Sequence, residues 1–225
     1  MSSRDAIFSA LRRSLGVTGD ESPRRDIVAQ RMAGAPSGII PARGGGDAAK
    51  RLDTFRTEAA RVQASVADVA RAEDVPAEIA RYLGANNLPA SLRIGDDPAF
   101  APMDFGATTL EIARGASDGR DPNAASIAFA GIAETGTLAL ASGPFNPTTL
   151  NFLPDTHIVV LFADRMVGDM EGAFAKLRAA TGKGIMPRTL NFVTGPSRSA
   201  DIEQTLLLGA HGPRRLHIVV VGAPA

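Results

Sequence analysis

Two short runs limit what this chain can fold into. His157–Ala163 and Leu216–Val221 are apolar at almost every position and rich in β-branched side chains. A strand with one wet face alternates apolar and polar residues. An unbroken apolar run of this length reads instead as a strand buried on both faces, as in a parallel sheet covered by helices. Between the two runs, Met170–Ala180 has helical spacing and is closed by Gly182, Thr189–Thr194 reads as a strand, and Ala200–Leu208 is expected to be a helix. The last third therefore alternates strand, helix, strand, helix, strand. That pattern predicts parallel strands joined by right-handed crossovers, with ligands at the carboxyl ends of the strands.

Upstream, Leu52, Phe55, Ala59 and Val62 lie on one face of an expected helix, with Asp47 as its N-cap. Val75–Leu83 is a second helix with Pro76 in its first turn and Gly84 after it. Leu92–Ile94, Thr108–Ile112, Ser126–Ile132 and Thr137–Ala141 read as strands. The first 46 residues differ. Ala6, Ile7, Ala10, Leu11 and Leu15 follow helical spacing up to Gly16, and Gly19–Gly46, rich in Gly, Pro, Arg and Ser, reads as an extended arm. Two parts are expected: a helix with its arm over 1–46, and an α/β domain over 47–225. Residues 1–50 hold 8 basic and 5 acidic side chains, net +3, against 6 basic and 9 acidic, net −3, in 51–105. That asymmetry reads either as chance or as an arm that packs on a partner or on a second copy.

Composition removes several chemistries. The chain of 225 residues has no cysteine, hence no disulfide, no thiolate metal site, no iron–sulfur ligation of its own and no Cys nucleophile. Lys plus Arg equals Asp plus Glu at 24 each, so there is no general basic face for nucleic acid. With Tyr82 and ten Phe as the whole aromatic set, base-stacking platforms are not expected either. The three histidines, His157, His211 and His217, have no carboxylate spacing that makes a metal set. The longest apolar run, Ile158–Ala163, has six residues, against the roughly 18 or more that cross a bilayer. The opening residues lack the apolar stretch of a secretory signal, and a cytoplasmic protein is expected.

Three segments carry chemistry. Thr194–Glu203 leaves a strand and is expected to enter a helix, whose free backbone N–H groups attract anions. Gly195, Pro196, Ser197, Arg198 and Ser199 would form a cradle for a carboxylate or phosphate, with Asp201 in the first helical turn. The alternative reading is that Ser199 is simply an N-cap. Gly131–Thr137 has the glycine spacing of a phosphate loop, but Thr137 stands where its lysine would be. What remains is Glu134 with Thr135, Gly136 and Thr137, opposite the cradle: an acid–base group, a nucleophile, or an anchor for the turn. Gly209–Arg215 places His211 in a tight loop, expected at the amino edge of the last strand and away from the Gly195 segment. His157 and His217, which open apolar strands, are read as structural.

Taken in order, Ile132–Leu138, Leu153–Ile158, Gly195–Glu203 and Gly209–Pro213 resemble the lactate utilisation protein C family, the LUD domain, most densely over Ser126–Gly222. Ser199 stands where the family pattern has Thr, and keeps the hydroxyl. The resemblance implies a Rossmann-like three-layer α/β sandwich similar to the NagB/RpiA/CoA-transferase superfamily. It implies a component of an L-lactate utilisation system, oxidising lactate to pyruvate, whose two partner proteins carry the iron–sulfur clusters. This chain would be the subunit without them, binding a small anionic ligand, with its own cofactor and any catalysis of its own left open. By analogy with CoA transferases, Glu134 is the candidate catalytic carboxylate. The competing readings are a stand-alone acyl- or phosphate-ester enzyme of that superfamily and a scaffold subunit.

Overall fold

A computed structural model describes residues 2–34, 38–200 and 206–222. The chain divides into two compact units, 1–39 and 40–225. The smaller holds helix α1 (Ser3–Leu15) and helix α2 (Ser22–Gly34). Ser2 and Asp5 cap α1 reciprocally, and Gly16 ends it in the left-handed region, as its position after the apolar spacing implied. Helix α2 corrects the expectation of an extended arm. Between Asp20 and Ala33 the chain has no glycine, and its one proline, Pro23, sits in the first turn, where no backbone N–H is needed.

The larger unit is mixed α/β with a mainly parallel central sheet. Six strands lie in the order β1 (Ser65–Val69), β12 (Arg215–Val221), β7 (Thr156–Phe162), β4 (Asn123–Ile127), β2 (Ser91–Ile94), β3 (Glu111–Arg114), and every neighbouring pair is parallel. The two apolar runs are the adjacent central strands β7 and β12, in register from Arg215 opposite Thr156 to Val221 opposite Phe162. Alternate residues feed opposite cores. Val219 and Val221 meet Val75, Ile79 and Leu83 of α4 (Val75–Ala85) on one side. Ile218 and Val220 meet Leu52, Phe55 and Ala59 of α3 (Ala48–Arg61) on the other. Asp47 caps α3 by accepting from the Lys50 N–H at 2.9 Å.

A second sheet shares the α3 side. β4 does not run on to Ile132 as one strand. It breaks after Ile127, and the chain resumes as β5 (Ala130–Ile132) in a four-stranded sheet ordered β8 (Met166–Val167), β5, β6 (Thr137–Ala141), β9 (Leu190–Val193). Two further helices follow: α5 (Thr149–Phe152), which packs on β4 and β7 of the central sheet, and α6 (Met170–Thr181), which packs on β5 and β8 and ends at Gly182.

β9 pairs antiparallel to β6, so the last third is not the parallel alternation its pattern suggested. The helix expected over 200–208 is also replaced. β10 (Arg198–Ala200) pairs antiparallel with β11 (Leu206–Leu208), Arg198 opposite Leu208. Both ends of the supposed helix are therefore extended, and residues 201–205 lie outside the described ones.

Candidate functional site

The hairpin β10–β11 is one excursion from the domain, and its base is tied. The Ser197 N–H donates to the Pro213 carbonyl at 2.8 Å and the Gly209 N–H to the Ser197 carbonyl at 3.0 Å. Gly195 begins the excursion at φ +75°, and a Cβ there would run into the Val62 carbonyl oxygen, so only glycine turns the chain at this point. These ties bring Gly195–Arg198 against His211–Pro213, correcting the expectation that they occupy opposite edges of the sheet.

Between them lies a cavity of about 250 Å³. Its polar wall holds Thr194, Ser197, Arg198 and His211; its inner part holds Asn151 and His157; Phe152, Phe192 and Leu216 supply the apolar surface. The lining contains no acidic residue among those described. His157 and Leu216 belong to the first residues of β7 and β12, so the cavity sits at the amino ends of the central strands, not at the carboxyl ends where parallel sheets usually bind ligands. The Arg198 guanidinium donates to the Val62 carbonyl, is exposed, and forms no ion pair with a described residue.

The expected anion cradle is thus gathered in part. Gly195, Pro196, Ser197 and Arg198 line the cavity. Ser199 is in β10 and does not, and because no helix begins there it caps none. Asp201 lies outside the described residues. His211 joins the site.

The Glu134 turn is elsewhere. Glu134 is buried, its N–H donates to the Gly168 carbonyl at 3.0 Å, and its Oε1 accepts from the Met170 N–H at 3.2 Å, at the start of α6. A carboxylate there complements the positive helix end. Gly136, at φ +62°, lets the turn lie directly on Glu58 and Ala59 of α3. Thr135 and Thr137 do reach toward the cavity. Their hydroxyls are 2.7 Å apart, and Thr137 is 2.7 Å from Thr194 on the cavity wall.

Asn151 and His157 were not singled out as site residues by sequence. Both are buried, and Ser126 on β4 joins them: its Oγ lies 2.8 Å from His157 Nε2 and donates to Asn151 Oδ1 at 3.0 Å. Burial holds the His157 pKa down at about 3. The signal available in sequence was a histidine at the start of a buried strand, which reads equally well as structural. His217 is structural in that sense. Its Nδ1 is 2.8 Å from Ser65 Oγ, its Nε2 is 3.2 Å from Glu78 Oε1, and its ring stacks on Tyr82 at 3.9 Å. Burial pushes its pKa to about 4 against the opposing pull of Glu78.

No described helix is long and apolar enough to cross a membrane, and no described cluster of His, Asp and Glu could hold a metal ion.

Comparison with known proteins agrees with this architecture. A crystal structure of a DUF162 family protein from Deinococcus radiodurans superposes with a TM-score of 0.60 over 79% of this chain and 100% of that one, at 23% identity, which establishes the shared fold. Lactate utilization protein C of Geobacillus kaustophilus is 35% identical over 146 residues, 57% of this chain and 61% of that protein. The protein of the same name from Geobacillus sp. (strain WCH70) is 42% identical over 91 residues, 40% of this chain and 38% of the relative. These matches span about two to three fifths of the relatives' length. The LUD domain model matches residues 124–221, from β4 through β12 and around every wall of the cavity. Over residues 124–221, a little under half of its length, the chain matches the LUD domain family.

Proposed function

We propose that this protein is a component of a lactate utilisation system, the subunit without iron–sulfur clusters, and that it holds a small carboxylate in the cavity between Gly195–Arg198 and His211–Pro213. The observation that carries the reading is that convergence: two segments separated in sequence close on one small cavity whose wall has a guanidinium, a serine hydroxyl, an imidazole and, among the described residues, no acidic side chain. An anion is the charge such a wall attracts. The relatives' names supply the system. Its redox centres then reside on partner proteins, two iron–sulfur subunits in this reading, because a chain without cysteine supplies no thiolate for a cluster. The parallel central sheet supports kinship with the NagB/RpiA/CoA-transferase superfamily.

The competing acyl- or phosphate-ester enzyme needs Glu134 as an attacking carboxylate. Its burial and its hydrogen bond from the α6 N-terminus favour an anchoring role instead. The test is genetic. A strain lacking this gene should fail to grow on lactate as sole carbon source. The intact gene should restore growth, and Arg198→Ala should restore it poorly while the protein accumulates normally. Full growth of the deletion strain on lactate would refute the proposal.

A further inference from the structure

The histidine that ties β12 to α4 also reaches toward the surface. Ser65 and His217 are register partners on the neighbouring strands β1 and β12, so their side chains leave the sheet on the same face. Leu216, which lines the cavity, precedes His217 in the strand and points to the other face. Ser65 is exposed at the start of an edge strand, whereas His217 is buried. The Ser65 Oγ lies 2.8 Å from His217 Nδ1, and the other ring nitrogen, Nε2, lies 3.2 Å from Glu78 Oε1. A hydroxyl, an imidazole and a carboxylate therefore stand in series, with the hydroxyl outermost. Such a series activates a serine on folds of many kinds, and it is recognised by geometry and roles, not by sequence position.

Each link in the series has a direction. Burial works against the charge of Glu78, but the Arg81 guanidinium, 2.5 and 2.6 Å from its two oxygens, holds its carboxyl below the usual range. An ionised carboxylate only accepts, so the ring proton of His217 sits on Nε2. Burial keeps the ring neutral at physiological pH, with its pKa at about 4. A neutral imidazole carries one proton, so Nδ1 is a bare acceptor facing the Ser65 hydroxyl. The Leu216 carbonyl, at 3.4 Å, is the more distant acceptor for that hydroxyl. The ring is held in this orientation by stacking on Tyr82, with 3.9 Å between centroids and 7° between planes.

We propose that Ser65, His217 and Glu78 form a nucleophilic centre, and that the Ser65 oxygen takes up an acyl group from a small activated ester. Ser65 Oγ attacks the ester carbonyl carbon while its proton passes to His217 Nδ1. Glu78 stabilises the imidazolium through Nε2–H. The bond from the carbonyl carbon to the leaving alcohol then breaks, Nδ1 returns the proton to that alcohol, and the acyl group stays on Ser65. Ser65 and His217 meet the reacting atoms. Glu78 is a positioning residue that sets the tautomer. The centre shares no residue with the lining of the cavity, so it stands or falls apart from the carboxylate reading above.

The test treats the full chain with p-nitrophenyl acetate and locates the acetyl group by peptide mass spectrometry at short times. Ser65 should be acetylated about tenfold or more faster than the exposed Ser14, whose helix contains no histidine. His217→Phe, which keeps a ring against Tyr82, should bring Ser65 down to the Ser14 rate while the circular dichroism spectrum stays unchanged. Spectra of the protein with nitrogen-15 in its histidines should show His217 protonated at Nε2, and Glu78→Gln should lower that share together with the acetylation rate. Equal acetylation of Ser65 and Ser14, a Ser65 rate indifferent to His217→Phe, or an Nδ1–H tautomer in the unaltered protein would overturn the proposal. The tautomer and the Ser65-to-Ser14 ratio are read on the unaltered chain, so the proposal stays open to refutation even where a variant does not fold.

Discussion

At the scale of single residues, the informative groups are those whose partners come from far along the chain. Glu134 is one. The sequence offered an acid in a Gly- and Thr-rich turn, which fits catalysis and anchoring equally, and only the Met170 N–H, 36 positions later, separates the two. Glu134→Ala should lower stability by about 1–3 kcal/mol, measured by urea denaturation, because a buried acceptor at a helix start is removed. His157 is another. Its Nε2 partner is Ser126, 31 positions away, and no local pattern encodes that. The histidines also set the response to acid. Both have folded-state pKa values below the usual 6.5, at about 3 for His157 and about 4 for His217. Between pH 6.5 and 4 the unfolded chain therefore takes up protons that the folded chain refuses, and stability falls as pH falls. Each histidine contributes about 1 kcal/mol per pH unit in that window. The melting temperature should be clearly lower at pH 5 than at pH 7.5, and His217→Phe should flatten the slope.

At the scale of elements, strands buried on both faces and well-capped helices were legible. β7, β12 and the Asp47 cap of α3 follow from local composition alone. β1 was not expected, because Ser65–Val69 is an edge strand with a serine and an aspartate and carries too little apolar signal. The segment 198–208 was misassigned for a related reason. Leu206–Leu208 looks like the end of a helix until the pairing with Arg198–Ala200 is known, and that pairing depends on a turn set by Gly195. Gly195→Ala should therefore cost more than about 1 kcal/mol in urea denaturation. It should also weaken carboxylate binding, since it displaces the strap that carries Ser197 and Arg198.

At the scale of the whole molecule, the general class was readable and the internal arrangement was not. Alternating buried runs announce a layered α/β domain, but they do not say that β4 and β5 pass from one sheet into a second, or that the cavity opens at the amino ends of the central strands. Those outcomes depend on antiparallel pairings between β6 and β9, about fifty residues apart. The division at Ile39 and Ile40 has a direct test. Every buried apolar side chain of the described core lies at Leu52 or later. A chain starting at Ile40 should keep a single cooperative thermal transition and a circular dichroism spectrum of mixed α/β character, whereas loss of cooperativity would mean that the first unit completes the core.

The strap between Gly195 and Pro213 carries a consequence for how such chains diverge. Its base is fixed by the bonds of Ser197 to Pro213 and Gly209, and that base supplies two rims of the cavity. One residue added at either tied segment would unseat both cavity rims at once, because the ties are shared between them. Chains that diverge at this strap must therefore change its two tied segments together.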